Sequence, residues 1–260
     1  MSDAKIDLNS DVGESFGNYQ LGLDEEVVPL ISSANIACGF HAGDPTVMRR
    51  TVATAIENGV AVGAHPGLPD LLGFGRRRMD VTLEEIGDYV TYQVGALQAF
   101  VAARGGRLQH VKPHGALYNM AVRDASIWDA VAAAIAALDP RLILFALAGP
   151  GRSELEDIGA RHGIRIAFEF FGDRAYHPDG SLVGRQLAGA VIHDHEQVAA
   201  KVLKLVADNR VVCVDGSEIE LRADTICVHG DNPSALALVR RIRETLEGVG
   251  IEVAPPHAFI

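Results

Sequence analysis

The sequence predicts an α/β fold, an irregular (β/α) barrel of seven parallel strands, and three observations lead to it. Short apolar runs alternate with longer amphipathic segments along the chain, the pattern of parallel strands each covered by a helix. Polar residues recur at or just beyond the C-terminal ends of those runs: Asn9 and Asp11, His41, His65, Lys112 and His114, Glu169, and His229. In a barrel such ends converge on one mouth where the side chains act together, whereas an open sheet spreads them apart. No Ser/Pro/Gly-rich tract divides the chain, and 260 residues, 48% of them hydrophobic, suffice for one large core. A single domain over residues 1–260 is therefore expected.

In chain order the expected strands are KIDLN (5–9), ANIACG (34–39), VAVGAH (60–65), HVKPH (110–114), LILFALA (142–148), RIAFEFF (165–171) and TICVHG (225–230). The helix after the second opens at Asp44-Pro45, a cap followed by a first-turn proline, and spans 45–58. The next covers 82–104 and opens on Thr82-x-x-Glu85, the spacing of a capping box. Further helical periodicity covers 124–137, 152–162, 194–208 and 233–248. Residues 211–228 read instead as a hairpin feeding the last strand, which is why the barrel is expected to be irregular.

Composition excludes several roles. A formal net charge of -11 repels a polyanion on average, so no nucleic-acid partner is expected, although a local basic pocket can still hold a small anion. No window approaches the ~20 apolar residues of a membrane span, and the N-terminus reaches Asp3 and Asp7 with no apolar run of signal-peptide length. Cys38, Cys213 and Cys227 cannot all pair within the chain and show no C-x-x-C spacing. A cytoplasmic location fits these features. The local signatures of P-loop ATPases, Rossmann dehydrogenases and serine hydrolases are all missing from the sequence.

Chemistry concentrates in a few stretches. NSDVGE (9–14) closes the first strand with an amide and two carboxylates, where Asp11 either caps the next segment or orients an imidazole. SANIACGFHAGD (33–44) is a buried run that breaks into glycines and so aims His41 at the mouth. VGAHPGLPDLLGFGRRR (62–78) carries His65 into a tightly turned loop with three arginines, of which one facing inward suffices to clamp an anion. Asp11, His41 and His65 are adequate donors for a divalent ion, but their spacing lacks a local metal signature.

In VKPHGALYN (111–119) a lysine within an apolar strand must find a partner or have its pKa lowered by desolvation. Lys112 either holds an anion or pairs with Asp11 or Glu169. The long polar stretch from Glu169 to Arg185 offers Glu169 as an acid or base and Arg174 or Arg185 as a carboxylate clamp. His229 ends the last strand, ahead of Asp231 or Asn232 as a helix cap.

DLNSDVGESFG, SANIACGFHAGDP, VGAHPGLPDLLGFGRR, KPHGALYN, EFFGDRAYHPDGSLVGR and CVHGDNPSAL, in this order and spanning nearly the whole chain, closely resemble the LamB/YcsF family. The resemblance implies an irregular barrel similar to glycoside hydrolase/deacetylase barrels. It also implies the A component of an ATP-dependent 5-oxoprolinase, which opens 5-oxo-L-proline to L-glutamate together with subunits B and C, with ATP as co-substrate. The chemistry of that reaction assigns Asp11, His41, His65, Lys112 and His114 to catalysis. It assigns Asn9, Glu169, Arg174, Arg185 and His229 to substrate binding. Two other readings stand beside it: a metal-dependent deacetylase or amidohydrolase holding its ion on Asp11, His41 and His65, and a non-catalytic binding subunit.

Overall fold

A computed structural model of the protein describes residues 4–229 and 234–260, without the His229 side chain. Its elements are β1 (Lys5–Val12), α1 (Asp24–Val27), β2 (Ser33–Ala37), α2 (Pro45–Glu57), β3 (Ala61–His65), α3 (Leu83–Ala102), β4 (Leu108–Val111), α4 (Gly115–Ala121) and α5 (Ala125–Leu138). They continue with β5 (Ile143–Leu147), α6 (Arg152–His162), β6 (Arg165–Phe171), α7 (His195–Asp208), β7 (Arg210–Val212), β8 (Glu218–Glu220), β9 (Thr225–His229), α8 (Ala235–Gly248) and β10 (Glu252–Val253).

Seven parallel strands run in the order β1-β2-β3-β4-β5-β6-β9, and pairing of β9 back onto β1 closes the barrel. The irregularity falls where the sequence puts it: the crossover from β6 to β9 carries α7 and the antiparallel β7–β8 hairpin. The short β10 adds two parallel pairs at Lys5 and Ile6. Among the described residues no helix is long and apolar enough to cross a membrane, and all three cysteines are buried and unpaired by disulfides.

The helix starts follow local chemistry. Asp44 accepts from the Thr46 and Val47 amides ahead of Pro45 at the first turn of α2. Thr82 and Glu85 close a complete capping box on α3. Asp124 and Asp194 cap α5 and α7 with their side chains. The expected Asp231 or Asn232 cap lies outside the described residues.

Alternation along β1 separates two environments. Ile6, Leu8 and Val12 join the apolar layer between strands and helices, while Asp7, Asn9 and Asp11 point into the lumen and bond to other strands. The lumen is therefore polar along one side, and on the other Ile143, Phe145 and Ala167 form a separate apolar cluster against Ile260. His110 stacks on Phe145, with centroids 4.1 Å apart, and its Nε2 lies 2.7 Å from Asn35 Oδ1.

Asp7 lies in this lumen and accepts from Ser32 Oγ, Ser33 Oγ and Thr225 Oγ1 at 2.6, 2.7 and 2.5 Å. Burial outweighs these three hydroxyls and pushes its carboxyl up to about 6. The native state then keeps a proton that the unfolded chain has already lost. Asp7's contribution is fully present below about pH 4 and is lost as pH rises through 6, about 3 kcal/mol in all. Asp7→Asn cannot ionise. Urea unfolding should therefore show the difference between variant and wild type moving in the variant's favour by about 3 kcal/mol from pH 4 to 7. A difference independent of pH would contradict the buried, protonated Asp7.

Candidate active site

The C-terminal ends of the strands open into a cavity of about 600 Å³ lined by Asp11, His65, Lys112, His114, Tyr118, Phe171, Arg174 and Arg185, among others. Lys112 lies one residue beyond β4, yet its amide still donates to the Ala64 carbonyl at 2.9 Å, which fixes it as firmly as a strand residue. Its ammonium is 2.8 Å from Asp11 Oδ1, 2.9 Å from Glu169 Oε1 and 3.0 Å from Cys227 Sγ. Burial works against the charge, but Asp11 and Glu169 outweigh it and hold the lysine well above its ordinary pKa. Lys112 is thus a permanent cation in the chamber floor. Burial beside that network in turn drives the Cys227 thiol upward, so it stays neutral.

Asn9 and Glu169 lie beneath the chamber, both fully buried. Asn9 Nδ2 donates to Glu169 Oε1 at 3.1 Å, and the Tyr118 hydroxyl donates to Glu169 Oε2 at 3.1 Å. Asn35 Nδ2 donates to both Asn9 Oδ1 and Asp11 Oδ1. These residues hold Lys112 and Asp11 in place from below.

The histidines form one group. His65 Nδ1 donates to the Lys112 carbonyl at 2.7 Å, and His114 Nε2 donates to the Phe74 carbonyl at 2.8 Å. The facing nitrogens, His65 Nε2 and His114 Nδ1, are 2.9 Å apart. His41 is fully buried behind them, stacked on His114 with centroids 3.7 Å apart and an interplanar angle of 2°. Burial first, and neighbouring imidazoles second, hold His41 and His114 well below the usual histidine pKa, so both rings are neutral. The 66–76 loop seals them in, and Gly75 is required there. Its φ is +63°, and a Cβ would sit 2.6 Å from His41 Cβ and 2.8 Å from His114 Cδ2.

Glu14 joins this group, although its place in the sequence assigns it no role. Gly13, at φ +69°, turns the chain after β1 and directs Glu14 back over the histidines. Its Oε1 is 3.4 Å from His41 Nε2 and 3.6 Å from His114 Nδ1. One donor atom from each of Glu14, His41, His65 and His114 lies within 4.8 Å of the others, a set that could hold a metal ion. The Asp11-His41-His65 set, which the alternative reading of the sequence offered, differs from it in Asp11, whose Oδ1 is held by Lys112 and whose Oδ2 approaches His65 Nε2 at 3.4 Å.

The arginines divide clearly. Arg174 is nearly buried and spends its guanidinium on loop carbonyls, donating to Val183 at 2.6 Å and Ala190 at 3.3 Å. Arg185 lines the chamber half-buried, with no hydrogen bond or ion pair of its own among the described residues. Arg76 and Arg78 also line the chamber, while Arg77 turns outward to Asp70. The backbone of His229 ends β9 opposite Asp11, and its side chain lies outside the described residues.

Comparison with known proteins agrees with this architecture. The family model described as LamB/YcsF family matches residues 6–260. The chain belongs to the LamB/YcsF family. It is 57% identical over 256 residues to the A component of the 5-oxoprolinase of Thermococcus onnurineus (strain NA1), covering 98% of this chain and 99% of that protein. The lactam utilization protein from Thermus thermophilus, known from a crystal structure, is 47% identical with a TM-score of 0.89, covering 96% and 99% of the two chains. The catalytic domain of a peptidoglycan N-acetylglucosamine deacetylase from Eubacterium rectale ATCC 33656 shares the fold alone, at 12% identity and a TM-score of 0.50 over 98% of this chain and 92% of that one. This LamB/YcsF chain thus shares its barrel fold with that deacetylase domain.

Proposed function

We propose that this chain is the ring-opening component of an ATP-driven 5-oxoprolinase, converting 5-oxo-L-proline to L-glutamate together with subunits B and C. The observation that carries the reading is the Lys112 ammonium, held between two carboxylates in the floor of a chamber whose wall presents Arg185. It agrees with the name of the relatives that match nearly the full chain.

The chemistry explains the need for ATP. A five-membered lactam is a poor electrophile, and phosphorylation of its oxygen, with release of ADP, makes the ring carbon attackable. Addition of water then lets the ring C–N bond break, the nitrogen leaving with a proton. The resulting acyl phosphate is hydrolysed by a second water to glutamate and phosphate. Lys112 stabilises negative charge on the oxygens at that carbon. Asp11 and His65, 3.4 Å apart on the chamber wall, are placed to take the proton of the attacking water. The phosphoryl donor enters with the partner subunits, consistent with the lack of a P-loop motif in this sequence.

Arg185 reads the substrate carboxylate. A guanidinium gives two parallel hydrogen bonds where an ammonium gives a point contact, and the Arg174 guanidinium is taken by the loop. Since the carboxylate contact is the same in ground and transition states, Arg185→Lys should raise KM about tenfold while kcat changes by less than about threefold. Steady-state kinetics on 5-oxoproline check this, and an unchanged KM would move recognition to Arg76 or Arg78. The reading as a whole is tested by reconstitution: purified subunits B and C with ATP and 5-oxoproline should form glutamate only when this chain is added. Equal glutamate formation without it would overturn the assignment.

A further inference from the structure

We infer that His110, sealed inside the barrel, is a positioning residue for the ring opening: through Asn35 it fixes the carboxylate of Asp11, a role that rests on Asp11 serving as proton acceptor there. The local backbone explains how a histidine reaches this place. Leu108 and Val111 both join the apolar layer between strands and helices, although strict alternation puts residues three apart on opposite faces of a strand. The cause is a slip in register: Val62 pairs with Leu108 and Gly63 with His110, leaving Gln109 over. An extra residue of this kind re-aims the side chains that follow it. His110 thereby enters the lumen on the same side of β4 as Lys112, two residues on. Gly63 makes room for it, since a Cβ there would overlap the imidazole ring.

Hydrogen bonding around the ring is determined. Asn9 Nδ2 donates to Glu169 Oε1 and Thr225 Oγ1, so its Oδ1 is an acceptor. Asn35 Nδ2 spends its two hydrogens on that oxygen, at 2.7 Å, and on Asp11 Oδ1, at 2.8 Å. Asn35 Oδ1 therefore accepts, and His110 Nε2 donates to it at 2.7 Å. Burial first, and the Lys112 ammonium second, hold His110 well below the usual histidine pKa. The neutral ring carries one N–H, and Asn35 receives it. The Gln109 side-chain amide meets Nδ1, and the ring lies flat on Phe145.

The chain His110–Asn35–Asp11 runs from the closed lumen to the chamber wall. Asp11 Oδ1 takes hydrogen bonds from Asn35 Nδ2 and from the Lys112 ammonium, each at 2.8 Å, and the two donors act differently. An ammonium is a compact charge with rotatable hydrogens, about which a carboxylate can turn. The planar amide offers one N–H in one direction, and so sets where Oδ2 points, toward His65 Nε2 at 3.4 Å. Without His110, Asn35 Oδ1 is a buried acceptor lacking its donor, a costly state. Turning the amide toward the Lys112 ammonium, which bonds the same Asp11 oxygen, satisfies Oδ1 and carries Nδ2 away from Asp11. His110 and Asn35 are themselves fully buried and do not line the chamber. Their influence falls on the reacting groups and leaves the Arg185 contact as it is.

The test uses the full chain with subunits B and C, ATP and 5-oxo-L-proline. His110→Leu, close in size and still apolar against Phe145, should lower kcat by about 10- to 100-fold, the range for a misplaced catalytic group, with KM within about threefold of wild type. His110→Gln, whose amide N–H can reach Asn35 Oδ1, should bring kcat back to within about threefold. In an Asn35→Ala background, His110→Leu should cost less than about twofold more, because the link it acts through is already gone. Circular dichroism confirms that each variant is folded. Histidine nitrogen resonances of the wild-type chain read the same bond without any substitution, and should place the His110 proton on Nε2; this keeps the test decisive if His110→Leu fails to fold. A wild-type kcat in folded His110→Leu, equal losses in the Leu and Gln variants, a full further loss in the Asn35→Ala background, or a proton on His110 Nδ1 would each overturn the role of His110 alone. Failure of the wild-type chain to support glutamate formation would instead overturn the ring-opening reading and this role with it.

Discussion

Lys112→Ala should abolish ATP-dependent glutamate formation by the reconstituted complex, a loss of about 10²-fold or more. The ammonium lies in the chamber floor, and alanine leaves nothing there to stabilise charge on the lactam oxygen. The substitution also strands Asp11 and Glu169 facing each other in a buried network. Breaking a buried ion pair from one side costs about 3–5 kcal/mol, so loss of turnover in this variant alone is ambiguous. Lys112→Ala combined with Glu169→Gln removes the surplus charge. The double variant should recover most of the lost stability in denaturant unfolding and none of the activity. Recovery of both would reduce Lys112 to a structural ion pair.

Asp11→Asn should be far more damaging to turnover than Glu169→Gln, although the two carboxylates hold the same ammonium at 2.8 and 2.9 Å. Asp11 lines the chamber and faces His65, whereas Glu169 is fully buried beneath it, bonded by Asn9 and Tyr118. Losing a proton acceptor costs roughly 10²–10⁴ in rate. Glu169→Gln keeps a neutral acceptor for the Tyr118 hydroxyl, and its kcat should fall by less than about tenfold, with its main cost in stability. Comparable losses of kcat in the two variants would mean that the carboxylates act only by holding Lys112, and that Asp11 takes no part in proton transfer.

The seven barrel strands are legible in the sequence because each is an apolar run, most of them with a polar residue at or near the C-terminal end, and the helix starts because Asp44 and Thr82 cap their own chains. Strand ends are less so. Asn9, Ser10 and Asp11 are poor strand formers by type, yet they continue β1, because Asn9 and Asp11 are satisfied across the lumen by Asn35, Glu169 and Lys112. Tertiary bonds override propensity there. Helix α4 is only two turns long, too short for a periodic signal, and β10 has two residues.

The site shows the same division. His65, Lys112, His114 and Asp11 stand at strand ends, so the barrel alone brings them together. Glu14 depends on a left-handed turn at Gly13, and no pattern in the sequence tells which way that turn sends it. Arg76, Arg77 and Arg78 are identical as letters, and only the pairing of Arg77 with Asp70 shows which of them turns away. Arg174 and Arg185 likewise separate only once the Val183 and Ala190 carbonyls claim the first.

A crystal structure of this chain with 5-oxo-L-proline, alone or within the reconstituted complex, tests the central claim most directly. The account predicts the ligand inside the 600 Å³ chamber, its carboxylate on Arg185 and its lactam oxygen toward Lys112. A lactam found in a partner subunit with this chamber empty, or bound with its carboxylate on Lys112 and its ring facing away from Asp11, would contradict it.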